Sequence, residues 1–182
     1  GEWNRYIGSE LKGSTLGVIG TGRIGKEVIM RMKSFGMNIL AFDVNEDKEF
    51  SDKYSFLYTH LDDLLTKSDF VTLHVPLTEA TRHLLNEEKL KKMKKTAVLI
   101  NTARGGIVDE DALYHVLING ELAGAAIDTF ETEPPGNSML LKLPNVIATP
   151  HIGAYTKEAI NKMSRFSAQA VAQFFSDTKK KI

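Results

Sequence analysis

Residues 15–25 read TLGVIGTGRIG, in which an apolar run is followed at once by three glycines spaced as G-x-G-x-x-G. Such glycines permit a tight turn, a close approach of the backbone to a pyrophosphate, and close packing of helix on strand. Residues 24–35 have the apolar period of a helix, and the free N–H groups of a helix N-terminus attract phosphate. The glycine spacing alone is a weak signal. With a strand before it and a helix after it, the segment predicts a dinucleotide-binding unit.

Short apolar runs and helical segments alternate along the rest of the chain. Six mostly continuous runs are typical of strands buried on both faces; they are residues 16–20, 38–42, 70–75, 97–101, 123–128 and 146–149. Helical periods lie between them, at residues 24–35, 60–67, 87–93 and 109–119. Asn86 is a predicted helix N-cap, and Gly36 and Gly120 are predicted helix stops. The pattern predicts an α/β fold, a Rossmann-type doubly wound parallel sheet forming a single domain over residues 1–176, with a basic tail over 177–182.

Two further amphipathic helices are predicted at the ends of the chain. Residues 157–175 carry apolar side chains at helical spacing. Near the N-terminus an apolar helical stripe is formed by Trp3, Tyr6, Ile7 and Leu11. This stripe has no obvious place in a doubly wound core, so it predicts a homodimer. The alternative is that it covers the sheet or a further domain.

The composition argues against several classes of function. Lysine plus arginine and aspartate plus glutamate both number 23, so no overall field draws the chain to nucleic acid or to an anionic membrane. There is no cysteine, and the five histidines include no i, i+4 pair, so we expect no disulfide and no metal site. No apolar run is long enough to cross a membrane and the opening is no signal peptide, so we expect a cytoplasmic location. Because the chain begins with Gly1 rather than Met, we expect an excised segment.

The second predicted strand ends at Asp43, where a carboxylate can accept both hydroxyls of an adenosine ribose. A 2′-phosphate would meet this carboxylate as a like charge. The next residues are VNED, without an arginine to receive a phosphate. The position of Asp43 therefore favours NAD over NADP, although an aspartate at a strand end can also be structural.

In a parallel sheet the carboxyl ends of all strands lie on one edge, and ligands bind there. The residues after the later strands include Arg104, Glu133 and His151. His151 is a candidate base for removing a hydroxyl proton while hydride passes to a nicotinamide, and Glu133 is a candidate for orienting the imidazole. Arg104 is suited to gripping a substrate carboxylate. Taken alone, each side chain has a structural explanation as a surface ion pair, a solvated loop or a helix cap, and it is their joint placement that favours catalysis.

His74 lies on an apolar strand and is interpreted as a hydrogen-bonded core histidine without a catalytic role.

Five segments in register carry a family resemblance. They are LKGSTLG at 11–17 leading to the glycine segment, HVPLT at 74–78, INTARGGIVD at 100–109, DTFETEP at 128–134 and TPHIG at 149–153. The chain resembles the NAD-binding domain of the D-isomer-specific 2-hydroxyacid dehydrogenases. The resemblance implies that Arg104, Glu133 and His151 are the catalytic residues. It also implies a cofactor site formed by Gly20, Gly22, Arg23, Ile24, Gly25, Asp43, Val75, Pro76, Thr81, Thr102, Ala103, Arg104, Asp128, His151, Gly153 and Ala154.

The implied activity is hydride transfer between nicotinamide and a D-2-hydroxy acid or 2-keto acid. Members of the family resemble a two-domain enzyme, and the residues before and after this segment would form the substrate domain. The isolated chain is therefore expected to bind NAD and to show negligible turnover. Tyr155 favours a small aliphatic acid, since members similar to D-lactate dehydrogenase often carry tyrosine there.

Two other functions are compatible with parts of the pattern. The resemblance extends to C-terminal-binding-protein corepressors, which use the fold as a nicotinamide-sensing binding module and keep the catalytic residues. An NAD-dependent hydrolase of the S-adenosylhomocysteine type would need cysteine, which the chain lacks.

Overall fold

The computed structural model describes residues 3, 5 and 7–179, without the side chains of 178 and 179. The chain divides into two compact units, Gly1–His151 and Ile152–Ile182. In the described residues, the first unit holds all the strands and five α-helices, and the second holds one α-helix. The strands are β1 (Thr15–Ile19), β2 (Asn38–Phe42), β3 (Leu57–Tyr58), β4 (Phe70–Leu73), β5 (Val98–Asn101), β6 (Gly124–Ile127) and β7 (Val146–Ala148). The helices are α1 (Arg23–Ser34), α2 (Lys48–Tyr54), α3 (Leu61–Lys67), α4 (Glu87–Lys91), α5 (Glu110–Ile118) and α6 (Lys157–Lys179), and a 3₁₀ helix spans Met139–Lys142.

The strands form one seven-stranded sheet in the order β3-β2-β1-β4-β5-β6-β7, and every pair is parallel. The chain builds outward from β1 to β3, then returns so that β4 pairs with the other side of β1. Ligands of doubly wound sheets bind at such a reversal, at the carboxyl ends of the strands. The sheet confirms the predicted fold class and places the crevice between β1 and β4.

Buried aliphatic side chains hold the helices on the sheet. Leu64 and Leu65 of α3 are fully buried, as are Ile19 of β1 and Leu73 of β4. Each such burial stabilises the fold by about 1.5–3 kcal/mol. Gly17 in β1 allows α3 to approach, because a Cβ there would lie 2.4 Å from Leu64 Cδ2.

The predicted core elements are confirmed, with ends shifted by one or two residues. The two glycines predicted to end helices have positive φ angles, 77° at Gly36 and 66° at Gly120. Asn86 caps α4 by accepting the N–H of Lys89 at 3.0 Å. Two elements are not predicted from the sequence, α2 with seven residues and β3 with two. The signal for α2 was Asp47, whose side chain accepts the N–H of Phe50 at 2.9 Å.

The prediction of an N-terminal helix is wrong for the described residues. Trp3 and residues 7–10 have no regular secondary structure, and Tyr6 lies outside the described residues. Trp3 and Ile7 are exposed. A short helix is marginal in water unless its apolar face packs against something, and the described part of the first unit leaves these side chains uncovered.

The C-terminal helix α6 is four residues longer than predicted, ending at Lys179 rather than at Phe175. It therefore includes residues 177–179 of the predicted basic tail, and Lys180, Lys181 and Ile182 lie outside the described residues. The domain boundary at residue 176 stays a prediction. None of the described helices is long and apolar enough to cross a membrane.

Candidate cofactor and catalytic site

The turn between β1 and α1 depends on its three glycines for different reasons. Gly20 has a φ angle of 94°, which side-chain-bearing residues rarely adopt. A Cβ on Gly25 would lie 2.1 Å from the carbonyl oxygen of Gly20, so a side chain there would push α1 away from β1. Gly22 is the N-cap of α1, and a Cβ on it would meet no atom within 4 Å. The space over Gly22 is therefore open to a ligand approaching the helix N-terminus.

Asp43 lies at the carboxyl end of β2, beside this turn. Its Oδ2 accepts two hydrogen bonds from Thr21, from the backbone N–H at 2.6 Å and from Oγ1 at 3.0 Å. Its Oδ1 accepts the N–H of Asn45 at 2.9 Å. Burial opposes ionisation of this carboxyl, but the hydrogen bonds from Asn45 and Thr21 outweigh it, so the pKa of Asp43 lies below its ordinary value. Asp43 is an ionised, oriented acceptor.

A cleft of about 670 Å³ runs from the start of α1 to the loop after β5. Its walls are Arg23, Ile24, His74, Val75, Pro76, Leu77, Thr102, Ala103 and Arg104. The loop is shaped by Asn101, which is 3% exposed. The Asn101 side chain accepts the N–H of Ala103 at 3.1 Å and donates to the Arg104 carbonyl at 3.0 Å. The exposed Arg104 guanidinium donates to the Ala103 carbonyl at 2.7 Å.

Glu133 and His151 form a hydrogen-bonded pair, although eighteen positions separate them in the chain. His151 Nδ1 lies 2.8 Å from Glu133 Oε2, and the other carboxylate oxygen accepts the N–H of Phe130 at 3.1 Å. The bond with His151 holds the pKa of Glu133 below its ordinary value. His151 has a φ angle of 53°, a left-handed backbone found at turns and functional sites. The pair borders a pocket of about 390 Å³ whose walls include Phe130, Leu141 and Asp128.

The predicted catalytic residues border two different cavities in the structure. Arg104 borders the 670 Å³ cleft, whereas Glu133 and His151 border the 390 Å³ pocket. Asp128 is 5% exposed and its Oδ1 accepts the Thr149 hydroxyl at 2.5 Å. Thr81 donates to the Pro76 carbonyl at 2.6 Å and so ties down the loop after β4. Gly153 and Ala154 belong to the second unit, so their part in a cofactor site stays a prediction.

His74 borders the cleft but is unsuited to acid–base chemistry near neutral pH. Burial lowers its pKa to about 4, so the imidazole is neutral. Its Nε2 lies 3.1 Å from the hydroxyl of Thr72. These contacts are those of the hydrogen-bonded core histidine that the sequence indicated. No group of His, Cys, Asp and Glu side chains among the described residues is arranged to hold a metal ion.

Three residues that shape the site were not predicted from the sequence to belong to it. Asn101 shapes the Arg104 loop, and a polar residue at the end of an apolar strand was a usable signal. Thr21 is 4% exposed and binds Asp43, and Tyr58 lies 2.9 Å from the Thr21 hydroxyl. No local pattern marks Tyr58, because its contact joins positions 37 residues apart.

Residues 1–153 match the family model described as "D-isomer specific 2-hydroxyacid dehydrogenase, NAD binding domain". The chain belongs to this dehydrogenase family. It is 51% identical over 162 residues to D-3-phosphoglycerate dehydrogenase of Methanocaldococcus jannaschii, covering 87% of this chain and 31% of that protein. It is 45% identical over 182 residues to hydroxypyruvate reductase of Thermotoga maritima, covering 97% of this chain and 58% of the relative.

Solved dehydrogenases of the family share its fold. The D-lactate dehydrogenase of Aquifex aeolicus, complexed with NAD and lactic acid, superposes with a TM-score of 0.88 at 38% identity, covering 99% of this chain and 60% of that one. The NAD-complexed enzyme of Lactobacillus delbrueckii ssp. bulgaricus gives 0.85 at 36% identity, covering 94% and 56%. The chain thus spans a third to three fifths of the length of these relatives.

The crevice residues of this NAD-binding domain fit a dinucleotide. The space over Gly22 accommodates a pyrophosphate at the N-terminus of α1, a twelve-residue helix with no acidic residue in its first turn. The ionised Asp43 lies at the end of the neighbouring strand, where a ribose would bind. Both features favour a phosphate-linked ligand with free ribose hydroxyls.

The glycines of the turn should respond differently to alanine. In Gly22→Ala we expect the free energy of unfolding to change by less than about 1 kcal/mol, because open space surrounds the added methyl group. NADH affinity should nevertheless fall, since the methyl occupies the approach to the helix N-terminus. In Gly25→Ala the overlap with the Gly20 carbonyl should cost about 1–3 kcal/mol or more. Urea denaturation and NADH titration of both variants check this; equal destabilisation would contradict it.

Proposed function

We propose that the complete protein interconverts a D-2-hydroxy acid and its 2-keto acid with NAD as the hydride carrier. The observation that carries the proposal is the Glu133–His151 pair, with 2.8 Å between Oε2 and Nδ1, at the edge of the sheet that receives the cofactor. A histidine held by a carboxylate is suited to moving one proton between a hydroxyl and solvent. When bound, the nicotinamide supplies the two-electron acceptor or donor.

His151 is the general base for oxidation and the general acid for reduction. The Glu133 carboxylate engages Nδ1, which leaves Nε2 available to the substrate hydroxyl or carbonyl. Because its pKa is lowered, Glu133 remains an anion and so stays an acceptor for the N–H at Nδ1. This bond orients the imidazole for transfer of a proton at Nε2.

Arg104 binds the carboxylate of the substrate and polarises the reacting carbonyl. Its guanidinium is exposed at the mouth of the cleft and, among the described residues, donates to the Ala103 carbonyl. Donors on the planar group therefore remain for a bidentate contact. The Asn101 bonds to the loop keep the arginine backbone in place.

The proposed cofactor residues of the first unit follow the carboxyl ends of its strands. Those after β1, β2, β4 and β5 bind the pyrophosphate, ribose and nicotinamide portions, and Asp128 follows β6 at the same edge of the sheet. The set comprises Gly20, Gly22, Arg23, Ile24, Gly25, Asp43, Val75, Pro76, Thr81, Thr102, Ala103, Arg104, Asp128, His151, Gly153 and Ala154.

The direct test is a hydride-transfer assay of the complete protein. NADH oxidation would be followed with glyoxylate, hydroxypyruvate and pyruvate, and NAD reduction with each isomer of lactate and of 3-phosphoglycerate. We expect turnover with at least one D-2-hydroxy acid or its keto acid and none with the L-isomers. Binding of NADH without turnover of any 2-keto or 2-hydroxy acid would contradict the proposed activity.

Asp43 should select NADH over NADPH. We expect the chain to bind NADH more tightly, because the ionised carboxylate accepts a ribose hydroxyl and repels a 2′-phosphate. In Asp43→Ala the affinity for NADH should fall by about 1.5–3 kcal/mol, the worth of a hydrogen bond to a charged group. Calorimetric titration of both nucleotides measures the change. Tighter binding of NADPH by the unmodified chain would remove Asp43 from this role.

Self-association and compartment stay proposals. Trp3 and Ile7 expose apolar surface near the N-terminus, which supports a homodimer, and the proposed compartment is the cytoplasm. The proposed substrate is a small 2-hydroxy or 2-keto acid, with neither nucleic acid nor membrane as a partner.

A further inference from the structure

A chain of hydroxyl groups ends on the Asp43 carboxylate. The backbone N–H of Asp47 lies 3.1 Å from the Tyr58 hydroxyl, and that hydroxyl lies 2.9 Å from Thr21 Oγ1. Thr21 Oγ1 lies 3.0 Å from Asp43 Oδ2. The chain therefore links the start of α2, the edge strand β3, the glycine turn and the end of β2.

The direction of each hydrogen bond follows from counting protons. An ionised carboxylate only accepts, so the single proton of the Thr21 hydroxyl points to Asp43. Thr21 must then accept from Tyr58, and the Tyr58 oxygen in turn accepts the N–H of Asp47. Each donor in this series of three hydrogen bonds therefore points toward Asp43.

The carboxylate is fixed by these contacts rather than by burial. Both lone pairs of Oδ2 are engaged by Thr21, and the N–H of Asn45 holds Oδ1. A free aspartate rotates about two side-chain bonds, and binding would have to stop that motion. Fixing the acceptor beforehand strengthens binding because less rotational freedom is lost.

The rest of the α2–β3 region holds Tyr58 in place. Its ring packs edge-on against Phe56, with centroids 5.3 Å apart. Asp47 caps α2 and forms an ion pair with Lys26 of α1. The hydroxyl of Tyr58 is thus delivered to Thr21 by a packed aromatic ring, so removing that oxygen alone leaves the packing intact.

We propose that Tyr58 is a positioning residue for the cofactor: through the Thr21 hydroxyl it orients the Asp43 carboxylate that receives the adenosine ribose, and so contributes to the selection of NADH over NADPH. The inference rests on the proposed role of Asp43. Tyr58 itself need not touch the nucleotide, since its effect passes through two hydrogen bonds.

The experiment is calorimetric binding of NADH, NADPH and reduced nicotinamide mononucleotide, which lacks the adenosine half. In Tyr58→Phe we expect the Kd for NADH to rise by about 3- to 10-fold, the range for one neutral hydrogen bond. The Kd for the mononucleotide should not change, and the preference for NADH over NADPH should shrink by a similar factor. Tyr54→Phe is the matched control, because Tyr54 packs in the same cluster, 4.6 Å from the Phe50 ring.

Variants of Thr21 test the middle of the chain of hydroxyls. Thr21→Val keeps the branched shape but removes both the bond to Asp43 and the acceptor for Tyr58, so its loss of NADH affinity should be at least that of Tyr58→Phe. Thr21→Ser keeps the hydroxyl and should keep NADH binding. In an Asp43→Ala background, Tyr58→Phe should cause no additional loss, since interacting residues are not additive. Should Tyr58→Phe fail to fold, the Thr21 variants still test the hydroxyl link that the inference requires, and unchanged NADH affinity in Thr21→Val would overturn it.

The outcomes separate this inference from the proposed function. If Asp43→Ala loses NADH affinity while Tyr58→Phe keeps it, the inference is overturned and the function stands. Equal losses for NADH and for the mononucleotide, or additive losses in the Asp43→Ala background, also overturn it. Failure of the unmodified chain to bind NADH would overturn both.

Discussion

His151→Ala should lower the kcat of the complete protein by about 100- to 10,000-fold, the usual contribution of a positioned general acid or base. The imidazole is held by Glu133 at 2.8 Å, and among the described residues His151 is the one histidine that borders the 390 Å³ pocket. His74 is neutral above a pKa of about 4 and is bonded to Thr72, so it is a poor substitute. Steady-state assays with a 2-keto acid and NADH measure the loss.

Two comparisons make the His151 result specific. His60→Ala is the matched control, because His60 is exposed at the start of α3 and makes no side-chain cap. Glu133→Gln should lose less activity, since an amide keeps a hydrogen-bond partner for Nδ1. A His151→Ala enzyme with nearly full kcat would rule out the assigned role.

Gly105→Ala should destabilise the protein by about 3 kcal/mol or more, at the upper end of overpacking effects. A Cβ at this position would lie 2.0 Å from the Phe130 carbonyl oxygen and 2.4 Å from the backbone nitrogen of Glu131. Backbone atoms cannot rotate away as a flexible side chain can. The segment that carries Phe130 must therefore shift, or the loop after β5 must.

The same variant should also disturb the hydrogen-bonded pair of Glu133 and His151. The N–H of Phe130 donates to Glu133 at 3.1 Å, so a displaced Phe130 loosens the carboxylate that holds His151. Gly106→Ala is the control in the same loop. Its Cβ would meet no atom closer than 3.6 Å, although its φ angle of 77° should cost about 1–2 kcal/mol. The denaturation midpoints of Gly105→Ala and Gly106→Ala are compared. Equal midpoints would contradict the close packing of Gly105 against the Phe130 backbone.

Much of the fold followed from local patterns. Residues 15–25 predicted the first strand, the turn and the start of α1, because the apolar run and the glycine spacing are set by neighbouring positions. The cap at Asn86 and the stops at Gly36 and Gly120 have the same origin. The order of Arg104, Glu133 and His151 along the chain placed them after successive strands, and parallel topology alone brings such residues to one edge.

The elements that the sequence did not predict owe their stability to distant partners. The two residues of β3 carry no period that a pattern could detect, and they form a strand because Leu40 and Ala41 of β2 lie beside them. The N-terminal stripe has a helical period, yet in the described residues it is not helical, because a short helix needs a surface on which to pack.

Sequence by itself determined the glycine turn, the cap at Asn86, and the strands and helices of the domain other than α2 and β3, because these depend on residues close together in the chain. Three contacts were decided by the tertiary structure alone. The Phe130 backbone packs against Gly105, Thr21 donates hydrogen bonds to Asp43, and Tyr58 forms a hydrogen bond with Thr21. The hydrogen bonds of Thr21 with Asp43 and Tyr58 join residues 22 and 37 positions apart in the sequence. They depend on strand order and register, which fix how distant side chains meet.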